Sequence, residues 1–361
     1  MKDVLAEKLL AAVLDWGPKE VAAERPLLQA MAAFKYDEYE QYSPGMRFVE
    51  SLAVWLNQFE ADDRPIAYRF VRKRLVFCSA REMDHLVATA YPDFIRPILL
   101  NRVASETTMN RFHVGRVATS ESFQLSQRQT LFLGLSDGAR IDAYRRANPE
   151  LNHEQIWQTH ELAPKRVDDL LEKLKKHVHA KAFRTIVLLD DFSASGSSYF
   201  SKKEDGAFSG KVAKFLASVG NLEDPLHSLV DDEGADVIIL IYMATEKAIR
   251  HLRSSLEDLE FPGIKSIRIE TVQLLPQSIS IVRDNAEEFG PLIEKYYDHE
   301  VHDVHMQHGG SPDSKYGYAD CGLPVVLHHN SPNNSLPLLW SYEDRDVRGL
   351  FPRVQRHREM S

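Results

Sequence analysis

The sequence predicts a doubly wound α/β fold, with a mostly parallel sheet and an added helical region at the N-terminus. From about residue 70 onward, short and almost continuous apolar runs alternate with segments of helical length. Such runs suit strands that are buried on both faces, as in parallel sheets covered by helices. In the segments between them, such as 165–180, apolar residues recur at helical spacing. Proteins of this class bind ligands outside the carboxyl ends of their strands, so functional residues are expected there.

The predicted elements divide the chain into three regions. The expected strands are residues 74–80, 130–136, 185–191, 236–243, 266–275 and 323–329. Residues 1–60 instead repeat apolar positions at helical spacing. We therefore expect a helical N-terminal region at 1–65, the α/β domain at 66–345 and a polar, basic tail at 346–361.

The composition is typical of a globular protein. Apolar residues make up 43% of the chain and charged residues 27%, which argues against disordered and fibrous classes. The sequence has neither a long apolar stretch nor a signal-peptide cleavage site, so membrane and secretory routes are not expected. Cys78 and Cys321 lie in apolar segments, which favours buried thiols in a reducing cytoplasm. The formal charge of −9 argues against nonspecific binding to nucleic acid.

One apolar run, TIVLLDDFSASGSSYF at 185–200, ends in two carboxylates and a row of small residues. If 185–189 is a central strand, Asp190 and Asp191 lie at its carboxyl end. The loop that follows has side chains too small to shield its backbone amides, so it is suited to wrap a phosphate, helped by a helix N-terminus or a backbone nest. Adjacent carboxylates would repel a phosphate but accept hydrogen bonds from sugar hydroxyls. The motif therefore indicates a phosphate on one side and a ribose diol on the other.

The segment LLDDFSASGSS resembles the phosphoribosyl pyrophosphate motif of the type I phosphoribosyltransferases. The resemblance implies that Asp190 and Asp191 bind the ribose 2′ and 3′ hydroxyls and form the catalytic pair. It also implies that a loop cradles the 5′-phosphate, namely Ala194, Ser195, Gly196, Ser197 and Ser198. Oxopurine-using members carry an Asp at the position of Ala194, so any proton of a nucleobase must here be handled elsewhere. A structural alternative, in which the acids cap a strand and the serines form a solvated loop, stays open.

A second anion loop is expected after an earlier strand. The family binds pyrophosphate there, and TLFLGLSDGARIDAYRRAN has a strand, a tight loop and a helix in that order. The loop residues are Ser136, Asp137, Gly138, Ala139 and Arg140. Arg145 and Arg146 are further candidate donors. An ordinary Asp-Gly turn is the alternative. Mg²⁺ is expected to bind through the ligand's own oxygens, without dedicated protein ligands.

The stretch LPVVLHHNSPNNSLPLLW supplies polar groups just past another predicted strand. His329, Asn330, Asn333 and Asn334 are candidates for a base or acceptor pocket at the same sheet end as Asp190. Asn and Pro that simply form turns are the alternative.

Four blocks make the resemblance more specific. YSPGMRFVESLAVWL, LGLSDGARIDAYRRAN, LLDDFSASGSS and HHNSPNNSLPLLW, in this order over residues 42–340, are similar to phosphoribosyltransferase-like proteins of bacterial conflict systems, including those encoded beside retron reverse transcriptases. The resemblance implies a cytoplasmic role in antiphage defence, a reverse transcriptase or RNA–DNA partner complex, and a homodimer.

Two functions of different class follow. The first is an enzyme that binds phosphoribosyl pyrophosphate or a nucleotide and acts at ribose C1′. The second is a non-catalytic sensor of such a ligand, or a partner-binding module of a defence complex. A nucleic-acid-associated effector would need a basic face that the net charge does not indicate.

Overall fold

The computed structural model describes residues 3–203, 205–283, 287–302, 304–342 and 347–353. Within these ranges, none of the helices has the length and apolar character that a bilayer crossing requires.

Helices and strands alternate through the middle of the chain. The helices are α1 (Asp3–Val13), α2 (Pro18–Phe34), α3 (Phe48–Asn57), α4 (Arg64–Lys73), α5 (Ala80–Thr89), α6 (Arg96–Glu106), α7 (Val114–Ala118), α8 (Glu121–Arg128), α9 (Ile141–Ala147), α10 (Pro164–Val178), α11 (Lys211–Gly220), α12 (Glu246–Leu256), α13 (Gly290–Lys295), α14 (Val304–Gln307) and α15 (Pro337–Trp340). The strands are β1 (Val76–Cys78), β2 (Thr130–Gly134), β3 (Ile156–Trp157), β4 (Thr185–Ser193), β5 (Ser201–Lys202), β6 (Phe208–Ser209), β7 (Ala235–Thr245), β8 (Ile264–Leu275) and β9 (Val325–Leu327).

The chain forms two compact units, one of residues 1–83 with 276–361 and one of residues 84–275. In the first unit the N-terminal helices share a core with the C-terminal segment, because the indole of Trp55 donates to the Leu338 carbonyl (2.8 Å) and Leu350 is fully buried. The predicted domain limits at residues 65 and 345 do not coincide with the limits of these two units. They stay predictions about domain organisation. Of the expected tail, residues 346 and 354–361 lie outside the described residues.

The first unit also contains a small parallel sheet of β1 and β9. The runs 74–80 and 323–329 were expected to be strands of the central sheet, and this placement is wrong. They pair with each other, Val76 opposite Val325, because their apolar side chains are buried in the core that the N-terminal helices provide.

The second unit is a five-stranded parallel sheet with the order β3-β2-β4-β7-β8. Every residue of β2 is buried, which confirms the expectation from its apolar run. Alternate side chains point to opposite faces. On one face Leu131 joins a core with apolar residues of α10, α11 and α12. On the other face the ring of Phe132 contacts Tyr91, between α5 and α6, and Tyr144 of α9, with centroids 6.0 and 5.5 Å away. Helices therefore cover both faces, and the doubly wound α/β class is confirmed.

Three details of this unit differ from the expectation. The two-residue strand β3 is too short to give a pattern in sequence. Strand β4 continues to Ser193, since Asp190 pairs with Ile241 and Ser193 with Ala244 on β7. A hairpin of β5 and β6, which the sequence did not predict, lies between the 194–198 loop and α11.

The order of the strands identifies the ligand edge of the sheet. From β2 the chain moves outward to β3 and then returns to the other side of β2, where it adds β4, β7 and β8. The direction of winding thus reverses between β2 and β4. In open α/β sheets, ligands bind outside the carboxyl ends of the strands at such a switch point. The loops after Gly134 and Ser193 therefore emerge where a ligand is expected.

The central strand makes a direct test of this packing available. Leu188 of β4 is fully buried, so Leu188→Ala is expected to lower the free energy of unfolding by about 2–5 kcal/mol through lost burial and a residual cavity. Urea unfolding followed by circular dichroism measures the change. The control is Leu222→Ala, at a side chain that is 81% exposed, where a change within about 0.5 kcal/mol is expected. Equal stability of the two variants would contradict the assignment of β4 as a central strand.

Candidate functional site at the switch point of the sheet

The two acidic residues lie in the second half of β4. Asp190 is only 1% exposed, whereas Asp191 is half-buried. Because successive residues of a strand face opposite sides, the two carboxylates belong to different environments. The adjacent acids that the sequence singled out are thus not equivalent.

The carboxylate of Asp190 is held by three donors. Ser136 Oγ donates to Oδ1, which also accepts from the backbone N–H of Asp191 at 3.1 Å. Lys211 Nζ donates to Oδ2 at 3.0 Å. A buried carboxylate needs such compensation, since an unpaired charge in the interior is costly.

Opposed effects act on the pKa of the Asp190 carboxyl. Burial, and after it the charge of Asp191, raise the pKa of the Asp190 carboxyl. The Lys211 ammonium and the hydrogen bond from Ser136 act in the opposite direction, and the pKa remains above its ordinary value. Removal of either support would favour the protonated form of Asp190.

The predicted pyrophosphate loop follows β2 and contacts the acid pair. Ser136 caps a short helical turn, Asp137–Ala139, and its Oγ accepts from the Gly138 N–H at 3.2 Å. A Cβ atom on Gly138 would lie 2.5 Å from Oδ2 of Asp191, so any other residue here would displace this carboxylate. The sequence-predicted residues Ser136, Gly138, Asp190 and Asp191 are therefore brought together.

The arginines near this loop have protein partners. Arg140 adopts a left-handed conformation (φ 49°) and its guanidinium donates to Asp84 at 3.0 Å. Arg145 donates to the Ile156 carbonyl, and Arg146 is exposed. The guanidinium groups of Arg140 and Arg145 are thus bonded to acceptors of the protein itself.

The predicted phosphate loop, Ala194–Ser198, follows β4 directly. Gly196 has a φ of 80°, and a Cβ there would lie 3.0 Å from the Ala248 carbonyl oxygen. Thr245 Oγ1 donates to the Ala194 carbonyl at 2.6 Å and also caps α12. The loop is therefore fixed against the first turn of α12.

Backbone donors in this loop are available for a ligand. Among the hydrogen bonds of the described residues, none has the N–H of Ser195, Gly196 or Ser198 as its donor. The hydroxyls of Ser195 and Ser197 are 2.8 Å apart and bond to each other. A cluster of free N–H groups and hydroxyls of this kind suits an anion.

A helix N-terminus was expected to help this loop, and α11 does not supply one. The first N–H groups of α11 are occupied by the loop itself, because Lys211 donates to the Ser198 carbonyl at 3.0 Å and Val212 to the Tyr199 carbonyl at 2.9 Å. The hairpin inserted between loop and helix produces this geometry. Of the two expected sources of N–H donors, a helix N-terminus and a backbone nest, only the backbone nest remains.

The candidate base pocket lies in the other unit, after β9, a strand of the small sheet. Asn334 Nδ2 donates to the Tyr318 carbonyl (3.1 Å), and Asn333 Nδ2 lies 3.0 Å from His305 Nε2. Asn330 donates its N–H to the Leu327 carbonyl in a tight turn, and the His329 carbonyl accepts from Gln41 at 2.8 Å. The expectation that these residues follow a strand of the same sheet as Asp190 is wrong, and their role in a pocket stays a prediction.

Sequence reasoning missed three residues that support the site. Lys211 pairs with Asp190, Thr245 holds Ala194, and Tyr242 donates its hydroxyl to the Ala139 carbonyl at 2.9 Å. Lys211 follows a glycine at a helix start, where a lysine is usually solvated, and the other two lie within or at the end of an apolar strand. None of them carries a local signal in the sequence.

The arrangement combines the two predicted anion loops with the half-buried carboxylate of Asp191. Among the described residues, no group of three or more His, Cys, Asp or Glu is placed to hold a metal ion. Chemically, the site offers N–H donors for phosphate oxygens and a carboxylate acceptor for hydroxyl groups.

The raised pKa of Asp190 makes a prediction about stability. The folded protein binds this proton more tightly than the unfolded chain, so the stabilisation is present at low pH and is lost as pH rises through the folded-state pKa. Asp190→Asn is therefore expected to melt at a higher temperature than the wild type at pH 7–8, and the difference should shrink as the pH falls toward 5. Differential scanning calorimetry measures it, with exposed Asp232→Asn as control. A difference that is independent of pH would contradict this account.

Comparison with known proteins identifies the family of the chain. No curated protein and no solved structure matches the chain. A family model described as PRTase-CE matches residues 52–353, a range that includes both predicted anion loops, the acid pair and the stretch after β9. Since the match covers most of the chain, the protein belongs to the PRTase-CE family and is a phosphoribosyltransferase-like protein.

Proposed function

We propose that this protein binds a 5-phosphoribose ligand, phosphoribosyl pyrophosphate or a nucleotide, at the switch point of its sheet and acts at ribose C1′. One observation carries the proposal. The Asp190–Asp191 pair lies in the second half of the central strand, the 194–198 loop follows that strand, and the 136–140 loop contacts the pair at Gly138. Phosphate donors and a hydroxyl acceptor are thus combined at the edge where α/β proteins bind ligands.

Different residues of the site would bind different parts of the ligand. The N–H groups of Ser195, Gly196 and Ser198 would bind the 5′-phosphate. Asp191, which is half-buried, would accept hydrogen bonds from the ribose hydroxyls. The fully engaged Asp190 would act mainly by fixing its neighbour, a refinement of the two-acid role that the resemblance implies.

The proposed reaction breaks the bond between C1′ and its leaving group. With phosphoribosyl pyrophosphate, the leaving oxygen takes the electron pair, an acceptor nucleophile forms the new bond at C1′, and that nucleophile loses a proton. The ring gains positive charge in the transition state, and the carboxylate of Asp191 would stabilise it. The 136–140 loop would bind the departing pyrophosphate.

Mg²⁺ is proposed to accompany the ligand. A site with one half-buried carboxylate suits an ion that is coordinated mostly by ribose and pyrophosphate oxygens, and the ion would neutralise the leaving group.

A non-catalytic sensor is the second candidate. Ala194, at the position where oxopurine-using members carry an acid, is only 2% exposed, so this position offers no group for the proton of a base. Binding alone would need no such group. Product formation separates the two functions.

The proposed setting, antiphage defence with a reverse transcriptase partner in the cytoplasm, rests on the resemblance of the four sequence blocks. Co-purification of the chain with a reverse transcriptase or an RNA–DNA hybrid would support it.

The proposed ligand is tested by calorimetric titration with phosphoribosyl pyrophosphate and Mg²⁺. We expect saturable binding by the wild type and at least a tenfold loss, about 1.4 kcal/mol or more, in Asp190→Asn/Asp191→Asn. The reaction mixture is then analysed for pyrophosphate, ribose products and, with nucleotides, free base. New products would support the enzyme, and binding without products the sensor. A wild type that binds neither phosphoribosyl pyrophosphate, ribose 5-phosphate nor a nucleotide would contradict the proposal.

The contact between Gly138 and Asp191 gives a second prediction. Gly138→Ala would place a methyl group 2.5 Å from Asp191 Oδ2, so the carboxylate must move. We expect affinity for the same ligand to fall by about 10- to 100-fold, since small displacements at such sites are costly. The control is Gly115→Ala, where a Cβ meets nothing within 4 Å. Unchanged affinity in Gly138→Ala would exclude Asp191 from the ligand site.

A further inference from the structure

Lys211 occupies an unusual position beside the phosphoribosyl site. It is the first residue of α11, and its ammonium lies 3.0 Å from Asp190 Oδ2. The side chain is 35% exposed, whereas that of Asp190 is 1% exposed. The ion pair thus connects a buried carboxylate to a cation at the protein surface.

The backbone of the same residue contacts the phosphate loop. The Lys211 N–H donates to the carbonyl of Ser198, the last residue of that loop, at 3.0 Å. The preceding Gly210 has a φ of 106° and leaves no room for a side chain against the Tyr199 carbonyl. Lys211 is therefore attached to both halves of the site, to the acid pair through its side chain and to the loop through its backbone.

The charge of Lys211 is needed because Asp190 lies in an unfavourable environment. Burial and the neighbouring Asp191 favour a proton on Asp190, whereas Lys211 opposes it. Titratable groups that face the carboxylate come from several elements: Asp191 on β4, Lys211 on α11, Tyr199 after the phosphate loop, Tyr242 on β7 and His160 after β3. Burial keeps both tyrosines and His160 in their neutral forms at pH 7. Lys211 is then the cation of this group.

Stability alone is a weak reason for this ion pair. Burying a carboxylate costs more than its pairing with a half-exposed lysine returns, and an apolar pair of similar volume is often at least as stable. An ionised Asp190 also serves the neighbouring residue, because its Oδ1 accepts the N–H of Asp191. The carboxylate form of Asp190 thus fixes the backbone from which Asp191 projects.

We propose that Lys211 is a positioning residue of the phosphoribosyl site, which keeps Asp190 in its carboxylate form and holds the acid pair and the phosphate loop in register. This role rests on the proposed function. A protonated Asp190 would carry a proton on one of its oxygens, and one of the bonds to Ser136, Asp191 or Lys211 would be lost. Asp191 would then present its carboxylate less well to the ribose.

The test compares Lys211→Met, Lys211→Arg and the wild type by calorimetric titration with phosphoribosyl pyrophosphate and Mg²⁺ between pH 5 and 9. In Lys211→Met the pH at which binding is half lost is expected to rise by about one unit or more, the usual effect of a single opposite charge at this distance. Affinity should fall most at the low end of the pH range and recover as the pH rises. Lys211→Arg should keep the wild-type profile. The matched control is Lys214→Met, one turn further along α11 and exposed.

A merely structural role of Lys211 predicts a different outcome. If Lys211→Met weakens binding equally at every pH, or leaves binding unchanged, the positioning role is overturned. The ligand's own titration is common to all variants, so it cancels in the comparison.

A second measurement separates this proposal from the proposed function. In ligand-free protein labelled with ¹³C at aspartate carboxyl groups, Lys211→Met should raise the titration midpoint of the Asp190 signal, which Asp190→Asn identifies. If the wild type binds no 5-phosphoribose ligand, the proposed function fails while this titration still decides the electrostatic role. An unshifted midpoint, or a shifted midpoint without any change in the binding profile, would overturn the positioning role.

Discussion

The structure of the site depends on one constraint, the burial of the Asp190 carboxylate. A charge in this position must be compensated, and the compensation comes from elements far apart in sequence: Ser136 after β2, the backbone of Asp191 on β4 and Lys211 at the start of α11. Each donor stabilises the charge of Asp190 and also holds its own segment of the chain next to this carboxylate. Together they fix two loops and a helix to the end of the central strand, and the reversal of winding between β2 and β4 is what brings those elements to one place.

The neighbouring strand β7 provides a second layer of support. Its residues Tyr242 and Thr245 donate their hydroxyls to the carbonyls of Ala139 and Ala194, one in each predicted anion loop. Both hydroxyl groups are buried, so these bonds are shielded from water. Strand β7 therefore supports both the loop that follows β2 and the loop that follows β4.

Much of this arrangement was predictable because the signals are local. The runs of β2, β4 and β7 are apolar enough to require burial on both faces, and the small-residue loop after the Asp190–Asp191 pair indicates that a strand ends nearby, although β4 continues past both acids to Ser193. What escaped prediction depends on long-range contacts. The pairing of β1 with β9, about 250 residues apart in sequence, has no local pattern. Lys211 looked like any surface lysine, since only the fold brings Asp190 next to it.

The hairpin of β5 and β6 has a consequence for how the site can change. The chain that leaves the hairpin is held against the chain that enters it. The N–H of Val212 donates to the Tyr199 carbonyl, and Gly210 packs against the same carbonyl group. The exposed turn at Asp205 and Gly206 makes no contact with the acid pair in the bonds described for it. Length and sequence at this turn can therefore vary while the two loops keep their geometry. The hairpin is a natural point for insertion, where evolution can attach a recognition element, or an experimenter a fluorophore, within one short connection of the phosphate loop.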